Sequence, residues 1–112
     1  MCQLLGLNAN TPTDVVFSFT GFATRAQEHK DGFGIAFFEG NGARLFVDAQ
    51  SARVSPVAEM VRRYPIRSEN VIAHIRKATQ GRVALENTHP FQRELWGRYW
   101  VFAHNGDLKG YA

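Results

Sequence analysis

A chain of 112 residues holds one domain at most, long enough for a hydrophobic core but small for a catalytic unit. Apolar residues at 45% and charged residues at 21% exclude a disordered chain, and no apolar run approaches the roughly 20 residues of a membrane span. The net charge of +3 comes from basic residues interspersed with acids, in clusters no denser than Arg62-Arg63, which argues against a nucleic-acid surface.

The N-terminus lacks a basic region followed by an apolar stretch, so no secretory signal is expected. The single cysteine, Cys2, cannot form an internal disulfide and fits a reducing, cytoplasmic setting. It stands behind the initiator and before an apolar run. Removal of Met1 would give Cys2 both a thiol and a free α-amine of pKa about 7.7–8.0, a nucleophile and its base in one residue. Position alone leaves this reading level with a small buried residue in a first strand.

In chain order, residues 2–8 read as that strand. Thr11-Pro12-Thr13-Asp14 predicts a short helix, with Thr11 as its cap, Val15, Val16 and Phe19 on one face, and Gly21 as its stop. The turn from Glu28 to Gly34 has two glycines around Phe33. That pattern predicts tight backbone rather than a phosphate loop, and a strand over Ile35–Phe38 follows. Gly40-Asn41-Gly42 predicts a hairpin into a strand over Arg44–Val47. Ser55-Pro56 starts a second helix with Val57, Met60, Val61 and Tyr64 on its stripe, stopped by Pro65.

Val71 to Ile75 reads as a strand buried on both faces, ending at Arg76. Lys77 to Gly97 carries few regular signals beyond a short element at Val83–Leu85, and long irregular segments are often functional. The last strand is expected over Arg98–His104, running into Asn105-Gly106.

Residue chemistry alone leaves each candidate ambiguous. Arg76 could anchor a small acid by its planar fork or could be a surface arginine lying along the sheet. Asn105-Gly106 could be a turn or the paired amide donors of an oxyanion hole. His29, His74, His89 and His104 fit no zinc spacing, so no metal site is expected. His74 and His104 are read as hydrogen-bonded structural residues.

Taken in order, the motifs resemble a family. Cys2, His29 to Ala36, Ala73 to Gly81, Asn87 to Phe91 and Phe102 to Gly106 follow the pattern of class II glutamine amidotransferase domains, which are N-terminal-nucleophile hydrolases. The sequence is most similar to the small stand-alone members, the YafJ type. The resemblance implies an α+β fold, an αββα four-layer sandwich, with residues 1–112 as the N-terminal part of one domain. It implies Cys2 as nucleophile, Asn105 and Gly106 as the oxyanion hole, and Arg76 and Thr79 as the pocket for glutamine's α-carboxylate. No cofactor is implied. Thioester chemistry would release ammonia from glutamine, a γ-glutamyl amide being the near alternative.

Three departures accompany the resemblance. The family's aspartate for the substrate α-amine is not reached by Ala112, and Asp107 is not that position. Lys77 and Gln80 stand where members often carry Trp and His, and the segment from Gly21 to His29 is short. A partial sandwich would expose apolar faces and strand edges. The chain is therefore expected to need a separate C-terminal half or a homo-oligomeric partner, and alone to be catalytically incompetent. A binding or regulatory role is the second reading. The partners expected are a small-molecule substrate, with no nucleic acid and no membrane.

Overall fold

The structure is a computed structural model that describes residues 3–14, 31–51, 55–63, 67–76, 85 and 88–105. Its elements are β1 (Gln3–Asp14), β2 (Phe33–Glu39), β3 (Gly42–Asp48), α1 (Pro56–Arg63), β4 (Arg67–Ile75), β5 (Phe91–Leu95) and β6 (Arg98–Phe102). Strands β1 to β4 form one antiparallel sheet in the order β1-β4-β2-β3, and β5 and β6 form a separate hairpin. This is a mostly-sheet α+β arrangement. Among the described residues no helix is long and apolar enough to cross a membrane.

Alternation along the central strands gives the sheet two different faces. Phe33, Ile35 and Phe37 of β2 and Val71, Ala73 and Ile75 of β4 point to the first face, where Ala58 and Val61 of α1 close the core. Leu5 and Leu7 of β1, Phe46 of β3 and Val57 of α1 pack around it. The helix starts where the Ser55 hydroxyl accepts the N–H groups of Val57 at 3.0 Å and Ala58 at 3.2 Å. That hydroxyl donates in turn to Asp48, which ties the cap to the end of β3. The stripe is narrower than expected: Met60 is 45% exposed, because Ala58 rather than Met60 shares the inward face with Val57 and Val61. Tyr64, Pro65, Val83 and Ala84 lie outside the described residues.

The helix predicted from Thr11 is not there. Residues 11–14 belong to β1, with Thr13 opposite Ser68 and Asp14 opposite Arg67 after an irregularity in the register. A capping pattern is a local preference, and here the long strand β4 offers these residues a partner. Thr13 uses its hydroxyl on the carbonyl of Thr11 at 3.0 Å instead of on a helix N-terminus. The helical face assigned to Val15, Val16 and Phe19 falls outside the described residues.

The second face is built around small residues. Opposed pairs place Leu4, His74, Gly34 and Val47 in one row across the sheet, with Gly6, Ile72, Ala36 and Leu45 in the next. A Cβ at Gly34 would overlap the carbonyl oxygen of His89 and would stand 2.6 Å from both Pro90 Cδ and Val47 Cγ1. Gly34 thus leaves the space in which the His89-Pro90 segment, joined by a cis peptide bond, lies on the sheet. Gly32 has φ +121°, and a Cβ there would meet the Asp48 carbonyl oxygen at 2.8 Å. Both glycines of the turn are therefore required by close approach of backbone, as the sequence predicts.

His74 is 1% exposed on this face, and neither ring nitrogen has a hydrogen-bond partner. Burial, and then the nearby His89 ring, lower its pKa from 6.5 to about 4. The unfolded chain takes up this proton near pH 6.5 and the folded chain only near 4, so stability falls as pH drops through that window. The full loss from this residue is about 3 kcal/mol. Urea midpoints measured from pH 7 to 4 should fall accordingly, and a His74→Phe variant should show a shallower decline. Parallel slopes would remove His74 as the cause. A Gly34→Ala variant should lose about 1–3 kcal/mol or more by denaturant unfolding. Gly6→Ala on the same face, where nothing lies within 4 Å of the added Cβ, should come out near neutral.

Candidate active site

Strand β4 ends at Ile75, and Arg76 follows with only 7% of its surface exposed. Its backbone is fixed on both sides. Arg76 N–H donates to the Gly32 carbonyl at 2.8 Å, and Asp31 N–H donates to the Arg76 carbonyl at 3.2 Å. The tight turn at Gly32 therefore sets the height at which Arg76 leaves the sheet. A guanidinium keeps its charge at any ordinary pH, so this corner holds a fixed, largely buried positive charge.

The start of β1 reaches the same corner. Gln3 stands opposite Ile75 in the antiparallel register, and Leu4 stands opposite His74. Cys2, Thr79 and Gly106 lie outside the described residues. The neighbours of two of them can be located: Gln3, which follows Cys2, and Asn105, which precedes Gly106. Asn105 is exposed at the end of the segment that leaves β6, and its side chain approaches His74 closely enough to favour that ring's protonated form. Arg76 and Asn105 thus come to one end of the sheet, Arg76 two residues after His74 and Asn105 beside its ring.

Between them stands a stack of imidazoles. The His89 ring lies 4.6 Å from the His74 ring at 28° and 4.6 Å from the His104 ring at 55°. Phe91 packs on His89 at 4.5 Å, and Phe102 on His104 at 5.5 Å. The backbone N–H of His104 donates to Nδ1 of His89 at 3.2 Å. Burial holds the His89 pKa below its ordinary value, reinforced by the charges of His104 and Arg76.

His74 and His104 are held in large part by ring stacking. Neither nitrogen of His74 nor Nδ1 of His104 has a partner at full hydrogen-bond geometry, although Asn105 and the His104 backbone lie close enough to the His74 ring to favour its protonated form. The sequence reading placed His89 in the Asn87 to Phe91 motif and among the four histidines, but gave it no role of its own. One signal could have suggested one: His74, His89 and His104 each lie inside a motif, two of them within two residues of Arg76 or Asn105. Among the described residues no group of three His, Cys, Asp or Glu side chains is arranged to hold a metal ion.

Chemically, the corner offers a fixed cation for a carboxylate, a side-chain amide that can donate to a developing oxyanion, and uncharged aromatic walls between them. All 112 residues match the family model of class II glutamine amidotransferases. A Haemophilus influenzae protein is 67% identical over 112 residues, covering 97% of this chain and 38% of the relative. YafJ of Escherichia coli K12 is 60% identical over 114 residues, covering 99% of this chain and 45% of YafJ. The names of both give glutamine amidotransferase as an inferred activity. A Pseudomonas aeruginosa PA01 crystal structure titled as a glutamine amidotransferase superposes with a TM-score of 0.62 at 45% identity, covering 99% of this chain and 45% of that one. The chain spans less than half the length of these relatives. With every residue of it matched by one family model, the chain belongs to the class II glutamine amidotransferases.

Proposed function

We propose that this chain carries the nucleophile and half of the substrate pocket of a glutamine-hydrolysing amidotransferase. The observation that supports this best is the shared corner: buried Arg76 after β4, Asn105 beside His74, and the start of β1 opposite Ile75. In the reaction, Arg76 binds the α-carboxylate of glutamine bidentately, with Thr79 alongside, and so fixes the carboxamide over Cys2. The free α-amine of Cys2 takes the thiol proton, directly or through a water, and the thiolate attacks the carboxamide carbon. Asn105 and the N–H of Gly106 stabilise the tetrahedral oxyanion, each donor worth about 2.7–4 kcal/mol of barrier. Ammonia leaves with the proton, and water hydrolyses the thioester to glutamate.

The base exists only once Met1 is removed, since an acylated nitrogen has no useful lone pair. A γ-glutamyl amide would be read by the same pocket with a different leaving amine. Residues 1–112 are proposed as the N-terminal part of a single domain, in a cytoplasmic protein. In the complete αββα sandwich, α1 would form part of an outer layer and the four-stranded sheet one of the two inner layers. Because the relatives are more than twice as long, turnover at ordinary rates is assigned to the complete domain. The rest of that domain would come from a C-terminal half, and a shared sheet edge would be a natural route to association between copies.

A diazo-ketone glutamine analogue, followed by intact-mass analysis, should add one label to Met1-free protein. The label should map to Cys2, be blocked by glutamine and be absent from Cys2→Ser. A folded, Met1-free protein that takes no label would favour the binding or regulatory reading. Arg76→Lys should raise the glutamine concentration needed for half-protection about tenfold or more, because one ammonium replaces a two-pronged donor. Unchanged protection would remove Arg76 from the pocket.

A further inference from the structure

His89 is not among the groups that the reaction above uses, yet it occupies the centre of the corner. Its main chain is held from below. Thr88 is 2% exposed and donates its N–H to the Leu85 carbonyl at 3.0 Å, and Pro90 is fully buried against the gap left by Gly34. Its ring is held from both sides by His74 and His104. Its Nδ1 receives the N–H of His104, the residue directly before Asn105.

We propose that His89 is the positioning residue for Asn105, and that it acts only as a neutral imidazole with an unprotonated Nδ1. The proposal rests on the reading of Asn105 as an oxyanion donor. An Nδ1 that accepts a backbone N–H must lack a proton, so the ring proton belongs on Nε2. Protonating Nδ1 would set two donors against each other at 3.2 Å and would release the segment that carries Asn105.

Burial and the neighbouring charges oppose that protonation and outweigh the His104 backbone, which favours it. His74 of β4 and His104 of the segment after β6 face the ring, and the charge of Arg76, just after β4, reaches it. Gly34 of β2 lies against the His89 carbonyl and Phe91 of β5 packs on its ring, and neither titrates. Every titratable or charged group around His89 among these is a base or a cation. A positive charge on His89 would therefore meet like charge and a dry stack of rings. The lowered pKa of His89 has this origin. Asn105 is accordingly held in place at neutral pH and let go in acid.

The test uses the full chain labelled with 15N. On titration from pH 7.5 to 5, the His89 ring should carry its proton on Nε2 and take up a second proton with a midpoint below 6.5. The His104 amide and the Asn105 side-chain amide should move with that same midpoint. His89→Phe keeps a ring in the stack but removes the acceptor, and should speed exchange of the His104 amide about tenfold, the worth of one hydrogen bond. His89→Asn offers an acceptor near the former Nδ1 and should restore protection. In the complete enzyme, His89→Phe should lower kcat for glutamine about a hundredfold with KM little changed, and His89→Asn should recover most of it.

A proton on Nδ1 at pH 7, or His104 and Asn105 signals that ignore the His89 titration, would overturn the proposal. If His89→Phe does not fold, the titration of the unmodified chain decides alone. Failure of the reading of Asn105 would look different: the signals would follow His89 as described, while kcat stayed unchanged in the variants.

Discussion

Between Val47 of β3 and His74 of β4, one missing side chain decides what can lie on the second face of the sheet. The row across the strands is Leu4, His74, Gly34, Val47, and only the glycine leaves room for another segment of backbone to touch the sheet. Into that room go the carbonyl of His89 and the ring of Pro90. With His89 seated there, its ring stacks on His74, its Nδ1 receives the backbone of His104, and Asn105 follows. The neighbouring Gly32 performs the matching task for Arg76, whose N–H it accepts while pressed against Asp48 and Ala49. Two glycines flanking the core residue Phe33 therefore set the positions of an arginine and an asparagine that follow different strands.

The electrostatics of the corner follow from this packing. A buried guanidinium is tolerated where its donors are satisfied, and its field disfavours any further positive charge nearby. Burial beside such charges favours the neutral form of His74 and His89. Neutral imidazole is a flat, polarisable group that stacks without demanding a counter-ion, which suits a site whose one fixed charge is to be matched by a ligand's carboxylate. The same arrangement makes the corner sensitive to acid, because each ring that gains a proton meets another that repels it.

Much of this was legible in the sequence where a local rule and the tertiary structure agree. Gly40-Asn41-Gly42 makes the turn between β2 and β3, with Gly40 at φ +58°, and Ser55-Pro56 begins α1 with the hydroxyl capping two N–H groups. The apolar run Val71 to Ile75 is the end of β4, buried on both faces as such a run suggests. The reading fails where tertiary pairing outweighs local preference. Thr11-Pro12-Thr13-Asp14 has the composition of a helix start, but β4 begins at Arg67 and supplies a strand partner. Strand β5 went unread because Phe91-Gln92-Arg93-Glu94-Leu95 has three consecutive polar residues. Its pairing to β6 through the Trp96-Gly97 turn, both residues at positive φ, is not a pattern that tryptophan advertises. The histidine stack was invisible for a different reason: stacking depends on three residues at sequence separations of 15 that no periodicity relates.

The hairpin itself clarifies where rigidity in this molecule resides. Leu95, Trp96, Tyr99, Trp100 and Phe102 are all 42% exposed or more, so the ribbon gains little from burial along its length. Between it and the sheet runs an apolar cleft of about 470 Å³, lined by Gly6, Ala36, Phe38, Ile72, Tyr99 and Trp100. A two-stranded ribbon is marginal on its own in water. What holds this one must therefore act at its root, where Phe91 and Phe102 pair, Pro90 is buried against the sheet and His104 bonds back to His89. Asn105 leaves from the root, so its placement depends on the His89 contacts and not on how the exposed end of the hairpin is covered.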